Sequence, residues 1–200
     1  MIPRTLPEQE EHLFNVLSSR RFLQMEGLGN EVPYFIYPYP PEDAVAVTEA
    51  KKRVKNRLAS AGVSVFEVNL YDLTVELLEA RGVWDRVLAA EAGQDKAEFR
   101  EMLQGMLEPQ QHIAPAIRER LAAAPSFDIF FLTGIGEVFP YIRSHNVLNN
   151  LHSVVTGKPM VMYFPGRYEQ SETLGSSLVL FGRLKDDQYY RAKNILEQEA

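Results

Sequence analysis

Phe127-Asp128-Ile129-Phe130-Phe131-Leu132, running into Thr133-Gly134-Ile135-Gly136, is the stretch that decides the fold. A short apolar run with no polar alternation suits a strand buried on both faces, as in a parallel sheet covered by helices. The glycines that follow turn the chain tightly. Val32-Pro33-Tyr34-Phe35-Ile36-Tyr37 and Met160-Val161-Met162-Tyr163-Phe164 have the same character. Val63-Ser64-Val65-Phe66-Glu67-Val68 reads as strand two, and Leu178-Val179-Leu180-Phe181 as strand five after a polar loop over 165–177. Helical patterns alternate with these strands. Residues 8–23 place Leu13, Val16 and Leu17 on one face and stop at Gly27-Leu28-Gly29-Asn30. Pro41-Glu42-Asp43 opens a helix whose buried stripe is Val47, Ala50, Val54 and Leu58, ended by Gly62. Asp72 is placed to cap the next helix, closed by Gly82. A helix from about Pro140 to Val155 follows strand three, and residues 189–199 read as a final helix. The pattern predicts one α/β domain over 1–200, an open, mostly parallel sheet flanked by helices. Residues 83–124, helical with breaks at Gly93, Gly105 and Pro109, form a helical insertion between strands two and three.

Composition bounds the chemistry. The 200 residues are 46% hydrophobic and 24% charged, close to the globular average. There is no cysteine, which removes disulfides, thiolate metal sites and Cys nucleophiles. No apolar run approaches the length of a membrane span, and Met1-Ile2-Pro3-Arg4-Thr5-Leu6-Pro7 lacks the apolar core of a signal peptide. A soluble, cytoplasmic protein without membrane attachment is expected. The net charge of −6 argues against coating nucleic acid by bulk attraction.

The first strand-to-helix turn is where an open α/β sheet would cradle a phosphate. Here it reads Tyr37-Pro38-Tyr39-Pro40-Pro41-Glu42-Asp43. It has no glycine, its prolines remove amide donors, and two carboxylates stand where an anion would bind. Gly157-Lys158 is followed by Pro159 and lacks the earlier glycine of a phosphate loop. The expectation is a phosphate-loop-NTPase-like scaffold without its nucleotide motif. Thr133-Gly134-Ile135-Gly136-Glu137-Val138-Phe139 has two glycines of a dinucleotide fingerprint, but Phe139 takes the third position, so it reads as a tight turn. Glu137 is the best-placed carboxylate, and capping or salt bridging is the favoured use. His145 and His152 lie on one helical face with Asn149 between them, two turns apart and too far for one metal without a third ligand. Gly175-Ser176-Ser177 lacks the flanks of a nucleophile elbow. Lys51, Lys52, Arg53 and Lys55, with Arg57, form the main basic cluster, a solvated helix face in the plain reading and a nucleic-acid contact in the alternative. Tyr beside Arg, at Arg167-Tyr168 and Tyr190-Arg191, is a pairing enriched in interfaces.

Six segments carry a family resemblance: Glu26-Gly27-Leu28-Gly29-Asn30-Glu31-Val32-Pro33-Tyr34, the block from Leu132 to Pro140, its continuation Ile142-Arg143-Ser144-His145-Asn146-Val147-Leu148-Asn149-Asn150-Leu151, then Tyr163-Phe164-Pro165-Gly166-Arg167-Tyr168, Ser177-Leu178-Val179-Leu180-Phe181-Gly182 and Tyr189-Tyr190-Arg191-Ala192. In this order they resemble the BrxB family of BREX bacteriophage-exclusion systems. The likeness spans nearly the whole chain, although 83–124 carries no matching motif. It implies a role in phage defence beside a DNA methyltransferase, a large ATPase and PglZ, a phosphatase-like protein. It implies a non-enzymatic adaptor that binds PglZ, supports host DNA methylation and phage restriction, and needs no cofactor or metal. No catalytic residues carry over. The motif positions Asn30, Thr133, Gly134, Gly136, Arg143, His145, Asn146, Asn149, Asn150, Pro165, Gly166, Arg167, Tyr168, Phe181, Tyr189, Tyr190 and Arg191 are candidates for shaping the fold or touching the partner. A nucleic-acid module on the Lys51 face and a degenerate nucleotide-binding domain are the alternatives. About −5 of the charge falls before residue 125 and about −1 after it, so the motif-rich part is near neutral, which suits a protein contact better than a phosphate.

Overall fold

The computed structural model describes residues 5–26, 33–171, 175–186 and 192–200. Asn30, Tyr189, Tyr190 and Arg191, and the glycine-rich exit at 27–30, lie outside the described residues. The strands are β1 (Tyr34–Tyr39), β2 (Val65–Asn69), β3 (Ile129–Thr133), β4 (Met160–Ser171), β5 (Gly175–Leu180), β6 (Leu184–Asp186) and β7 (Lys193–Asn194). The helices are α1 (Leu6–Ser18), α2 (Arg20–Leu23), α3 (Ala44–Ser60), α4 (Leu70–Ala80), α5 (Trp84–Glu91), α6 (Lys96–Met106), α7 (Ala114–Ala123) and α8 (Ser144–Leu151). Five strands pair in parallel in the order β2-β3-β4-β1-β7. This is an α/β fold with an open, mostly parallel sheet between helices.

Alternation of side chains across the sheet explains the apolar runs. Phe35, Ile129, Phe131 and Val161 face α1 and α3, where Leu13, Val16, Leu17, Val54 and Leu58 cover them. Ile36, Phe130, Leu132, Met160 and Met162 face the other way, onto Leu73, Leu78, Ile117, Val147 and Leu151 from the later helices. Each such buried side chain contributes about 1.5–3 kcal/mol relative to leaving it in water.

Several sequence expectations shift. The first helix breaks at Ser19, whose hydroxyl accepts from Phe22 N and starts the separate short α2. Pro41–Asp43 forms a 3-10 turn, and α3 proper begins at Ala44. Strand two starts at Val65 and continues to Asn69. Asn69, not Asp72, caps α4: its Oδ1 accepts from Tyr71 N and Asp72 N, and a cap side chain serves the second and third amides of the helix it precedes. The expected helix from Pro140 to Val155 shrinks to α8, because 134–143 is a run of turns closing with Tyr141 N and Ile142 N on Val138 O.

The largest correction is the polar loop at 165–177. Past Pro165, β4 leaves its parallel neighbours and pairs with β5 in antiparallel register, from Gly166 opposite Leu180 to Ser171 opposite Gly175. β6 then pairs with β5. Arg167 and Glu169 are exposed while Tyr168 between them is buried, the alternation of a half-solvated strand. Within 192–200 there is no helix: β7 pairs with β1, and Ile195–Glu197 makes a 3-10 turn capped by Asn194.

Candidate functional site at the carboxyl end of the sheet

Open α/β sheets receive ligands beyond the carboxyl ends of their strands, where the strand order reverses. Here that point lies between β1 and β4. From β1 the chain crosses through α3 to the far edge at β2, while β7 joins on β1's other side. A cleft of about 600 Å3 opens there. One wall is Pro38, Tyr39, Pro40, Pro41 and Glu42, and the other is the start of the β4–β5 hairpin with Phe181, Gly182 and Arg183. The first wall is the turn that would cradle a phosphate, and it presents proline rings instead of amide donors.

The second wall is built by close approach. A Cβ on Gly166 would stand 2.2 Å from Val179 O and 2.9 Å from the Phe164 ring, so the hairpin closes only with glycine there. Phe181 sits at φ 53, a conformation that costs a non-glycine residue about 1 kcal/mol. It is held by its amide donating to Pro165 O at 2.8 Å and by its ring lying edge-on to Phe139 with centroids 6.0 Å apart. A Cβ on Gly136 would meet Pro165 at 2.8 Å and Phe181 at 3.0 Å, so the 134–136 turn packs directly beneath this wall. The Tyr168 hydroxyl donates to Ala192 O at 2.6 Å and ties the hairpin to the approach to β7. Charge at the mouth is mixed. Arg167 Nε pairs with Glu169 at 3.2 Å, Arg183 and Glu42 are exposed, and the Tyr39 hydroxyl is pushed up to about 12 by burial and by Glu137.

A second polar group lies under the same end of the sheet, on the α3 side. Glu67 of β2 receives Lys51 Nζ, Lys55 Nζ at 2.6 Å and the Thr133 hydroxyl at 3.0 Å. Tyr163 is buried beside it, and among the described residues its hydroxyl has no hydrogen-bond partner. Tyr163→Phe is therefore expected to leave stability unchanged or raise it by up to about 1 kcal/mol. Tyr34→Phe, whose hydroxyl donates to Leu151 O at 2.5 Å, is expected to cost about 1–2 kcal/mol. Urea unfolding of both variants checks the contrast.

The structure thus brings Gly136, Pro165, Gly166, Arg167, Tyr168 and Phe181 together at the cleft, with Gly134 and Thr133 just behind it. It does not gather the α8 candidates there. Arg143, exposed at the start of α8, lies against Phe139, Leu178 and Leu184 in a smaller recess. Asn146 and Asn149 are exposed, His145 is half-buried, and Asn150 Nδ2 donates to Asn146 O at 2.7 Å. His152 packs edge-on against Tyr34. Among the described residues no three His, Asp or Glu side chains meet in a way that could hold a metal ion.

The basic cluster is also not a free cationic face. Lys51 and Lys55 turn inward to Glu67, Lys52 pairs with Glu49 at 2.7 Å, Arg53 forks onto Glu10 at 2.8–3.1 Å, and Arg57 pairs with Glu11 at 2.8 Å. Sequence reasoning missed Glu67, Asn69 and Arg183, while Glu42 stands where the turn after β1 places it. For Glu67 a signal existed: a lone carboxylate inside a strand, with two lysines four apart on the preceding helix.

The BREX protein BrxB family model matches residues 66–195. The chain belongs to the BrxB family. The BREX protein BrxB of Bacillus cereus (strain H3081.97) is 33% identical over 98% of this chain and all of its own length. That of Escherichia coli O9:H4 (strain HS) is 28% identical over 98% of this chain and 94% of its own. No solved structure matches. The BrxB match begins within β2 and ends at β7, so it takes in Glu67, the 133–136 turn and the hairpin wall of the cleft, but not the proline wall. Among the described residues no helix is long and apolar enough to cross a membrane.

Proposed function

We propose that this chain is a cytoplasmic, non-enzymatic component of a BREX phage-defence system, an adaptor that binds a PglZ-family protein and supports host DNA methylation and phage restriction. Family membership supports the BREX assignment, because both relatives are named as BREX proteins. One structural observation carries the adaptor reading. At the point where an open α/β sheet would bind a nucleotide, the wall is Pro38, Pro40, Pro41 and Glu42, which offers an anion carboxylate and ring carbons instead of amides. The opposite wall offers Phe181 with the exposed Arg167 and Arg183, and aromatic and arginine side chains are enriched at protein contacts. The carboxyl-end cleft is the docking surface in this reading. The α3 cations support it in turn, since each already holds a carboxylate and nucleic acid would have to displace it.

The test mixes the purified chain with the PglZ-family protein of the same bacterium. Co-elution at micromolar concentration in size-exclusion chromatography is the expected result, with no rise in melting temperature on adding ATP and magnesium. Independent elution, or an ATP-dependent rise, overturns the reading.

A further inference from the structure

A second concavity, of about 250 Å3, lies where α4, α5 and α6 meet the 137–141 turn. Its floor is apolar, from Leu78, Val87, Phe99, Leu103 and Val138, all buried. Its rim departs from what a closed core would show. Tyr71 is 47% exposed and Leu88 is 48% exposed, two of the few large apolar side chains standing in water among the described residues. Trp84, the chain's one tryptophan, lines the same groove.

The groove lining carries two carboxylates, Glu91 and Glu137, and no Lys or Arg, and in the segments around it Glu76 is paired with Arg120. Residues 70–108, which supply most of its lining, carry nine Asp and Glu against four Lys and Arg, a net −5 out of the chain's −6. Glu91 and Glu137 stand at the groove itself, and neither pairs with a cation among the described residues. An apolar trough with exposed apolar shoulders accepts the i, i+3, i+4, i+7 side chains of an amphipathic helix. A negative surround selects a helix whose remaining faces carry Lys and Arg, and speeds its approach. The same field repels an anionic lipid surface. A second copy of this chain offers no such helix in α3, its lysine-rich helix, because α3 buries its apolar stripe on the sheet.

We propose that this groove docks a basic amphipathic helix of a partner protein, as an interface separate from the carboxyl-end cleft. The proposal stands independently of the PglZ reading, since it uses none of the cleft residues.

Trp84 supplies the readout. The full-length chain is titrated with a synthetic, tryptophan-free helical peptide bearing Leu at i, i+3, i+4 and i+7 and Lys elsewhere, and with its twin bearing Glu in place of each Lys. The Lys peptide is expected to give a saturable change in Trp84 emission, and the Glu peptide none. Leu88→Glu, at an exposed position that tolerates a charge, is expected to weaken binding about tenfold or more. Tyr71→Ser serves as a second variant. Glu91→Lys with Glu137→Lys is expected to weaken binding and flatten its salt dependence. Three results would each overturn the proposal: no saturable change up to about 1 mM Lys peptide, equal binding of the Glu peptide, or undiminished binding to both Leu88→Glu and Tyr71→Ser.

Discussion

Glu67→Ala is expected to remove about 3 kcal/mol of folding stability, although Glu67 is a charged residue in a mainly apolar sheet. The reason is what it leaves behind. Lys51 and Lys55 lie one turn apart on α3, with side chains 13% and 32% exposed, and both point at this one carboxylate. Without it, two partly desolvated ammonium groups face each other and the Thr133 hydroxyl loses its acceptor. Removing one partner of a buried ion pair costs more than the pair contributes, so Glu67→Leu combined with Lys51→Met is expected to recover part of the loss. The same cluster sets a pH dependence. Burial alone would raise the Glu67 carboxyl, but hydrogen bonds from Lys51 and Lys55 outweigh it and hold it below its ordinary value. A depressed folded-state value means the stabilisation is present above the unfolded carboxylate's pKa and is lost as pH falls through the folded one. The melting temperature should therefore fall on acidification below about pH 4.3, and Glu67→Gln should flatten that part of the curve. An unchanged acid slope in Glu67→Gln would show that the cluster does not contribute to it.

Gly134→Ala is expected to be similarly severe, about 3–4 kcal/mol, from three additive causes. Gly134 has φ +77, where any Cβ carries a penalty of about 1 kcal/mol or more. The new Cβ would stand 2.2 Å from Asn69 Oδ1 and 2.9 Å from Leu70 N. Asn69 Oδ1 is the cap of α4, so relieving the overlap also disturbs a cap contributing about 1 kcal/mol. Gly93→Ala is the control, because nothing lies within 4 Å of a Cβ there. Thermal unfolding of the two variants should differ by about 6–16 °C, since each kcal/mol shifts a domain of this size by about 2–4 °C. Equal melting temperatures would place the 133–136 turn outside the structural frame.

These two sites show what the sequence makes legible. The buried run ending at Thr133 announces a covered parallel sheet, because a run this short and this apolar, with no polar alternate, needs cover on both faces. The proline-rich turn after β1 can be read as a failed phosphate cradle because its chemistry is local. What stays hidden is set by tertiary partners. Asn69 and Asp72 are both good caps, and only the chain's exit from β2 chooses Asn69. Residues 165–177 look like a loop because Arg167, Glu169 and the serines are polar, while the inward alternates are too few to announce a strand. For Glu67 the sign is a lone carboxylate within a strand, and it gains meaning only when α3 folds back and places Lys51 and Lys55 over it. The motif glycines Gly134 and Gly166 are contact residues of the fold itself, which accounts for them without assigning them to a partner. Arg167, Phe181 and Arg183 are left as the surface the frame exposes.

In the proposed function that surface docks a protein and not a nucleotide. The most direct measurement is calorimetric titration of the PglZ-family protein into this chain and into an Arg183→Glu variant, with a parallel titration of ATP and magnesium. A complex with the unaltered chain is expected, with about tenfold weaker binding for Arg183→Glu at an unchanged melting temperature and no heat from the nucleotide. Full-strength binding by Arg183→Glu, or saturable heat from ATP, would contradict this proposal.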